Sequence, residues 1–242
     1  MIEELIPATA SAAHTSSDYE SAVHALFPEE AALVERAVPK RRREDAGVRM
    51  CARRAMSALG APAAAPLVSG HRGAPRWPGG LVGSMAHCAG YRAAVVGRVR
   101  DYRGLGIDAE SNEPLDGGLL ESVSLPQERV RVRELTMDTP QVHWDRLLFS
   151  IKEAVFKVWY PLTGRELDFG EADIRIGPGA GTFTTQISVP ADGPDGDHLK
   201  ALRGGRLCRD GLAVTAVAFR CTGPAPEAPP PPVPTTESRH ER

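Results

Sequence analysis

Leu105-Gly106-Ile107-Asp108-Ala109-Glu110 is the stretch on which the reading of this chain turns. Leu105, Ile107 and Ala109 alternate with Gly106, Asp108 and Glu110, the two-residue period of a β-strand, so the apolar set lines one face and both carboxylates share the other. Two acids on one small patch repel and raise each other's pKa unless a cation sits between them, and hard oxygen ligands so placed suit Mg²⁺. Further along, Lys152-Glu153-Ala154-Val155-Phe156-Lys157 adds a third carboxylate flanked by two lysines. It falls in the strongest helical pattern of the chain, residues 144–159, whose core face reads Trp144, Leu147, Leu148, Ile151, Val155 and Val158. Phe149 and Phe156 lie on the opposite side and bracket Glu153, so that either its pKa is raised or a metal compensates its charge. The plainer readings are a surface salt bridge between Glu153 and Lys157, and two exposed acids on an edge strand.

Outward from these motifs, the pattern predicts a helix over residues 29–37, opened by Pro28 and ended by Pro39. A second helix is predicted over 43–59, with Val48, Ala52, Ala55, Met56 and Leu59 at helical spacing and Gly60 as the stop. Arg49 and Arg53 share one side of it. A Pro/Gly-rich loop over 61–80 follows, then strands near 81–84 and 93–99, a turn at 114–118 and a charged helix over 127–135. Strands are predicted over 172–176, 182–189, 206–209 and 212–219. From Thr222 the composition shifts to PAPEAPPPPVP, which cannot bury a core and predicts an extended, disordered tail.

An apolar content of 42% and a charged content of 25% in 242 residues are those of a globular protein of one large or two small domains. The net charge of -2 argues against a general nucleic-acid binder, although Lys40, Arg41, Arg42 and Arg43 with Arg49, Arg53 and Arg54 form a basic cluster. Cys51, Cys88, Cys208 and Cys221 show neither zinc-ligand spacing nor a disulfide framework. An acidic N-terminus and the lack of an apolar run of membrane-spanning length predict a cytoplasmic protein without membrane association. No phosphate-binding G-x-x-x-x-G-K-[ST] loop, no dinucleotide-binding G-x-G-x-x-G and no G-x-S-x-G elbow is present, so the enzyme classes built on them lack support.

The GIDAE strand and the FSIKEAVFK helix resemble the G-[IV]-D-x-E and W-x-x-K-E-A-x-x-K motifs of the Sfp-type 4'-phosphopantetheinyl transferases, in the EntD-like branch with its actinobacterial relatives. The segments KRRRE and VRMCAR, GAPRWPGGLVGSMAHCAGYRAAVV, and PLTGRELDF extend the likeness over residues 39–219. Phe149 departs from it, standing where many members have Trp. The resemblance implies an α+β fold of two pseudo-symmetric halves with the active site in the cleft between them. Residues 1–101 would carry the coenzyme A phosphate contacts, 102–222 the metal and catalytic motifs, and 223–242 the disordered tail.

The same resemblance implies Mg²⁺-dependent transfer of 4'-phosphopantetheine from coenzyme A to a serine of an apo carrier protein, releasing 3',5'-ADP. Asp108, Glu110 and Glu153 would hold the metal, Glu153 would also act as base, and Lys152 and Lys157 would contact the pyrophosphate of coenzyme A. Arg41 and Arg49 would contact the 3'-phosphate, with Arg42, Arg43 and Arg53 as substitutes, and Arg72 would add a further phosphate contact. His87 of Ser84-Met85-Ala86-His87 would lie near the 3'-phosphate, Ala86 replacing the family's Ser/Thr; alone, it also reads as a strand-end histidine making a backbone hydrogen bond. Implied partners are acyl and peptidyl carrier proteins of fatty acid, polyketide or nonribosomal peptide synthases, docking near 128–135 on a monomer. Two other readings stay open: a coenzyme A or nucleotide binding module without transfer, and a metal-dependent pyrophosphohydrolase.

Overall fold

The apolar alternation of the opening stretch is that of a buried strand, and the computed structural model, which describes residues 1–179, 181–191 and 196–221, places it between two layers. The tail expected from residue 223 lies outside the described residues. A 3₁₀ turn at Ile2–Glu4 leads into β1 (Ser11–Thr15), followed by α1 (Glu20–His24), α2 (Pro28–Leu33) and α3 (Pro39–Ala58). The hairpin β2 (Leu81–Cys88) and β3 (Tyr91–Arg98) comes next, then β4 (Tyr102–Ser111), α4 (Leu119–Val123), α5 (Pro126–Asp138) and α6 (Trp144–Thr163). β5 (Ala172–Ile176), β6 (Thr182–Ile187), α7 (Gly196–Leu199), β7 (Arg203–Arg209) and β8 (Leu212–Arg220) complete the fold. The strands form two antiparallel sheets, β1-β3-β2 and β4-β8-β7-β6-β5. This is an α+β architecture, as the sequence predicts. Among the described residues, no helix is long and apolar enough to cross a membrane.

Four layers result. Cys51, Ala52, Ala55 and Met56 of α3 pack on Ala94 and Val96 of the smaller sheet. The other face of that sheet, with Ala86, Tyr91, Ala93 and Val95, meets Leu105, Ile107 and Ala109 of β4 and Val214 and Ala216 of β8. Behind the larger sheet lies α6, whose Leu147, Leu148, Ile151, Val155 and Val158 are all 0–1% exposed. Each such side chain contributes roughly 1.5–3 kcal/mol on burial. The predicted core face of this helix is therefore the observed one.

Several boundaries differ from expectation. The helix predicted to run to residue 37 stops at Leu33, and Pro39, expected to end it, instead opens α3. Proline lacks an N–H, which the first helical position does not use. β2 runs on to Cys88 because the two-residue turn at Ala89 and Gly90, with Gly90 at φ 71°, lets the hairpin pair out to Cys88 and Tyr91. β1 escaped prediction because its alanine-rich sequence has little strand propensity; it forms by pairing with β3.

The acid-bearing face of β4 is covered rather than open. A Cβ added at Gly106 would lie 2.0 Å from the Ala154 carbonyl oxygen and 2.8 Å from Val158 Cγ2, so strand and helix backbones touch here only because residue 106 has no side chain. Gly106→Ala is therefore expected to lower stability by about 3 kcal/mol or more, since the obstacle is backbone. An unchanged urea midpoint would show that α6 can lift from β4 at no cost.

Candidate active site

Arg146, Ser150, Glu153 and Lys157 recur at steps of four, three and four along α6, and so form one polar stripe along the helix. The stripe faces β4 and β8. Lys157 Nζ donates to Asp108 Oδ1 at 2.8 Å and to the Ile107 carbonyl at 3.0 Å. Ser150 Oγ and Thr215 Oγ1 lie 3.0 Å apart, and Thr215 is the strand partner of Asp108. Arg146 Nη1 donates to Glu110 Oε2 at 3.3 Å, while its remaining nitrogens bond the Glu113 and Pro114 carbonyls. Arg146 was missed in the sequence; its signal was its place in the stripe, seven residues before Glu153.

Three carboxylates thus share a region with two cations. Asp108 is 7% exposed, and its Oδ2 is buried without a hydrogen-bond partner among the described residues. Burial, and then the charge of Asp108, push the carboxyls of both Glu110 and Glu153 above their ordinary value. Among the described residues, no group of three or more His, Cys, Asp or Glu side chains stands ready to hold a metal ion. Arg146 and Lys157 hold Glu110 and Asp108 in that space. An orphaned buried carboxylate oxygen, hard oxygen donors and uncompensated negative charge nonetheless fit a hard divalent cation such as Mg²⁺.

The expected phosphate contacts divide into two groups. Arg41 Nη1 donates to His87 Nε2 at 2.5 Å, so these two residues come together as a pair. Burial, followed by the Arg41 charge, pushes the His87 pKa down, and the Lys157 charge acts in the same direction. Arg72 stands at φ 56° and donates to Glu166 Oε1 at 2.5 Å across the cleft. Two of the residues expected to contact phosphate are engaged elsewhere in this structure. Arg49 is 2% exposed, with Nε donating to the Leu67 carbonyl and Nη1 to Asp45, and it lies 3.8 Å from buried Glu30. Lys152 is 4% exposed, and its ammonium donates to Glu128 Oε2 at 2.7 Å, the Phe169 carbonyl at 2.5 Å and the Ala172 carbonyl at 3.0 Å. With three donors on three acceptors, it presents none to the cleft.

A cavity of about 250 Å³ runs from Arg72 and Trp77 past Val82 and Met85 to Leu105, Glu153, Phe156 and Lys157. A second, of about 270 Å³, lies beyond Arg72, Glu153 and Phe156, which line both, and is closed by Leu167 and Phe169. Glu153 therefore stands where two cavities meet. One is mostly apolar; the other is bordered by Glu166 and Asp168. The arrangement can admit two reactants to one carboxylate from different sides.

The chain matches two family models: the 4'-phosphopantetheinyl transferase N-terminal domain over residues 29–97, and the 4'-phosphopantetheinyl transferase superfamily over residues 104–193. It is 53% identical over 219 residues to the 4'-phosphopantetheinyl transferase Svp of Streptomyces mobaraensis, covering 90% of this chain and 89% of that protein. Identity is 45% over 197 residues with the 4'-phosphopantetheinyl transferase PptT of Mycobacterium tuberculosis, covering 80% of this chain and 86% of that protein. With the 4'-phosphopantetheinyl transferase Npt of Nocardia iowensis it is 44% over 227 residues, 90% of this chain and all of that one.

Two outcomes follow from the electrostatics. Lys152→Met strands the buried Glu128 carboxylate and should cost about 3–5 kcal/mol in urea unfolding, while Lys157→Met, whose ammonium is partly solvated, should cost less than half of that. Equal losses would place Lys152 in the same half-open setting as Lys157. For Glu153 the folded-state pKa is raised, so the stability carried by its neutral form is complete below the unfolded value of about 4.5 and is lost as pH rises through the folded value. Glu153→Gln should accordingly raise the melting temperature of metal-free protein at pH 7 by about 2–4 °C, and not at pH 4. A lower melting temperature at pH 7 would mean that the carboxylate is compensated.

Proposed function

The chain belongs to the 4'-phosphopantetheinyl transferases, and from that premise we propose that it moves 4'-phosphopantetheine from coenzyme A to a serine of an apo acyl or peptidyl carrier protein. The observation that carries this reading is the unpaired Asp108 Oδ2, buried beside Lys157, which lines one of the two cavities that converge on Glu153. Asp108, Glu110 and Glu153 are the residues that would hold Mg²⁺. When bound, the ion supplies positive charge to the pyrophosphate oxygens and lessens the repulsion that the serine oxygen meets. Glu110 is held by Arg146 and Asp108 by Lys157.

The serine oxygen forms a bond to the phosphorus that carries pantetheine, and the bond from that phosphorus to the bridging oxygen breaks. The bridging oxygen leaves on 3',5'-ADP. Glu153, which faces both cavities, takes the serine proton. Lys157 has a donor beyond the two held by Asp108 and Ile107, and it is placed to meet charge on the leaving phosphate. Arg41 beside a neutral His87, and Arg72 across the cleft, offer guanidinium forks to the phosphates. The mainly apolar cavity lined by Trp77, Val82, Met85 and Phe156 suits the uncharged pantetheine arm. Arg49 and Lys152 have supporting roles: one anchors α3 to the loop at Leu67, the other ties α6 to α5 and β5.

Incubating the protein with coenzyme A, Mg²⁺ and an apo acyl carrier protein should raise the carrier's intact mass by one phosphopantetheine, and the Asp108→Ala protein should not do so. No mass gain across acyl and peptidyl carriers while coenzyme A stays bound would favour a binding module. Coenzyme A consumed without modified carrier would favour a hydrolase.

A further inference from the structure

β4 is the end strand of its sheet and pairs with β8 along one edge. Its other edge turns toward β2, so the N–H and C=O groups there need partners that are not strands. At Ile107, 1% exposed, both are supplied by side chains. Ser84 Oγ, on β2 and 3% exposed, accepts the Ile107 N–H at 3.0 Å, and Lys157 Nζ, on α6, donates to the Ile107 carbonyl at 3.0 Å. The residue fixed immediately after this carbonyl is Asp108, whose carboxylate is held by the same ammonium.

We propose that Ser84 is a positioning residue for the transfer reaction: its hydroxyl pins the Gly106–Ile107 peptide, one unit ahead of the Ile107–Asp108 peptide that Lys157 holds, and so sets where the Asp108 carboxylate stands relative to Glu153. The proposal rests on the reading of Asp108 given above. A hydroxyl is the smallest group that can do this, because the gap between β2 and β4 is otherwise filled by Ala86, Leu105 and Ile107. Without it, the Ile107 N–H is left unpaired in a dry interface. The strand then has reason to rotate toward another acceptor, and Asp108 sits on the adjoining residue. The pin acts from β2, outside the sheet that contains Asp108. Placement of the carboxylate thereby depends on how the two sheets pack.

Ser84→Ala, Ser84→Thr and Ser84→Cys are compared by amide hydrogen exchange at Ile107 in metal-free protein, and by kcat and KM for coenzyme A with an apo acyl carrier protein. In the alanine variant, Ile107 exchange is expected to quicken by at least about tenfold. Its kcat should fall by about 10- to 100-fold with KM for coenzyme A within about twofold of the parent. Threonine, which keeps the acceptor, should restore most of both; cysteine, a weak acceptor of nearly the same shape, should behave like alanine and preserves the comparison if alanine fails to fold. Unchanged exchange, unchanged kcat, or a loss that threonine does not recover would overturn the proposal. Full transfer by Asp108→Ala would instead sink the role given to Asp108, and the exchange result, which needs neither substrate nor metal, separates that failure from this one.

Discussion

The approach of α6 to β4 at Gly106 is the constraint on which the rest of the site depends. With backbone against backbone at that point, side chains one residue before and three residues after the contact on the helix reach the strand without extending far, and Glu153 and Lys157 flank the Ala154 carbonyl that fills the glycine's space. Any residue with a Cβ at 106 would hold the helix away and lengthen every reach from α6 to Asp108. The glycine of the strand motif is therefore a distance constraint, and the acids around it gain their geometry from that distance.

The site is also a place where the fold keeps charge that it does not neutralise. Asp108, Glu110 and Glu153 outnumber Lys157 and Arg146, and burial raises the two glutamates. Cys88, next to His87 at the end of β2, registers the same field: burial and the charges of Glu110 and Asp108 push its thiol up to about 12, so it stays a neutral, unreactive neighbour. A site of this kind stores an unfavourable interaction that a cation can relieve. The surrounding structure offsets it with buried ion pairs nearby. In one, buried Glu128 accepts the Lys152 ammonium together with the backbone N–H groups of Leu125 and Ile174.

Much of this was legible in the sequence where one residue's pattern had one physical meaning. The two-residue alternation around Ile107 and the apolar stripe of α6 gave strand and helix correctly, because burial acts on periodicity alone. Arg49 and Lys152 were assigned phosphate contacts from the family resemblance, whereas in the structure they pair with Glu30, Asp45 and Glu128, which lie 19, 4 and 24 residues away. The pairings with Glu30 and Glu128 come from tertiary packing and leave no local trace, whereas Asp45 stands one helical turn before Arg49 on α3. Arg146 left a trace, at helical spacing from Glu153, but it lay outside both motifs. The joint role of Ser84 and Lys157 on the two peptides that flank Ile107 required knowing that β4 is an end strand, which follows from topology rather than from the residues of β4.

That topology bears on how the protein comes into being. β4 has its hydrogen-bonded neighbour in β8, the last described strand, with Asp108 opposite Thr215. As the chain is made from its N-terminus, β2 and β3 can pair at once, whereas the acid-bearing strand must wait for β8 before its ladder closes. Until then an apolar strand with open edges is exposed to other nascent chains, and β4 has no ladder partner on which to hold Asp108. Activity should therefore appear late and all at once in synthesis, which makes a partly made chain inert toward its substrates.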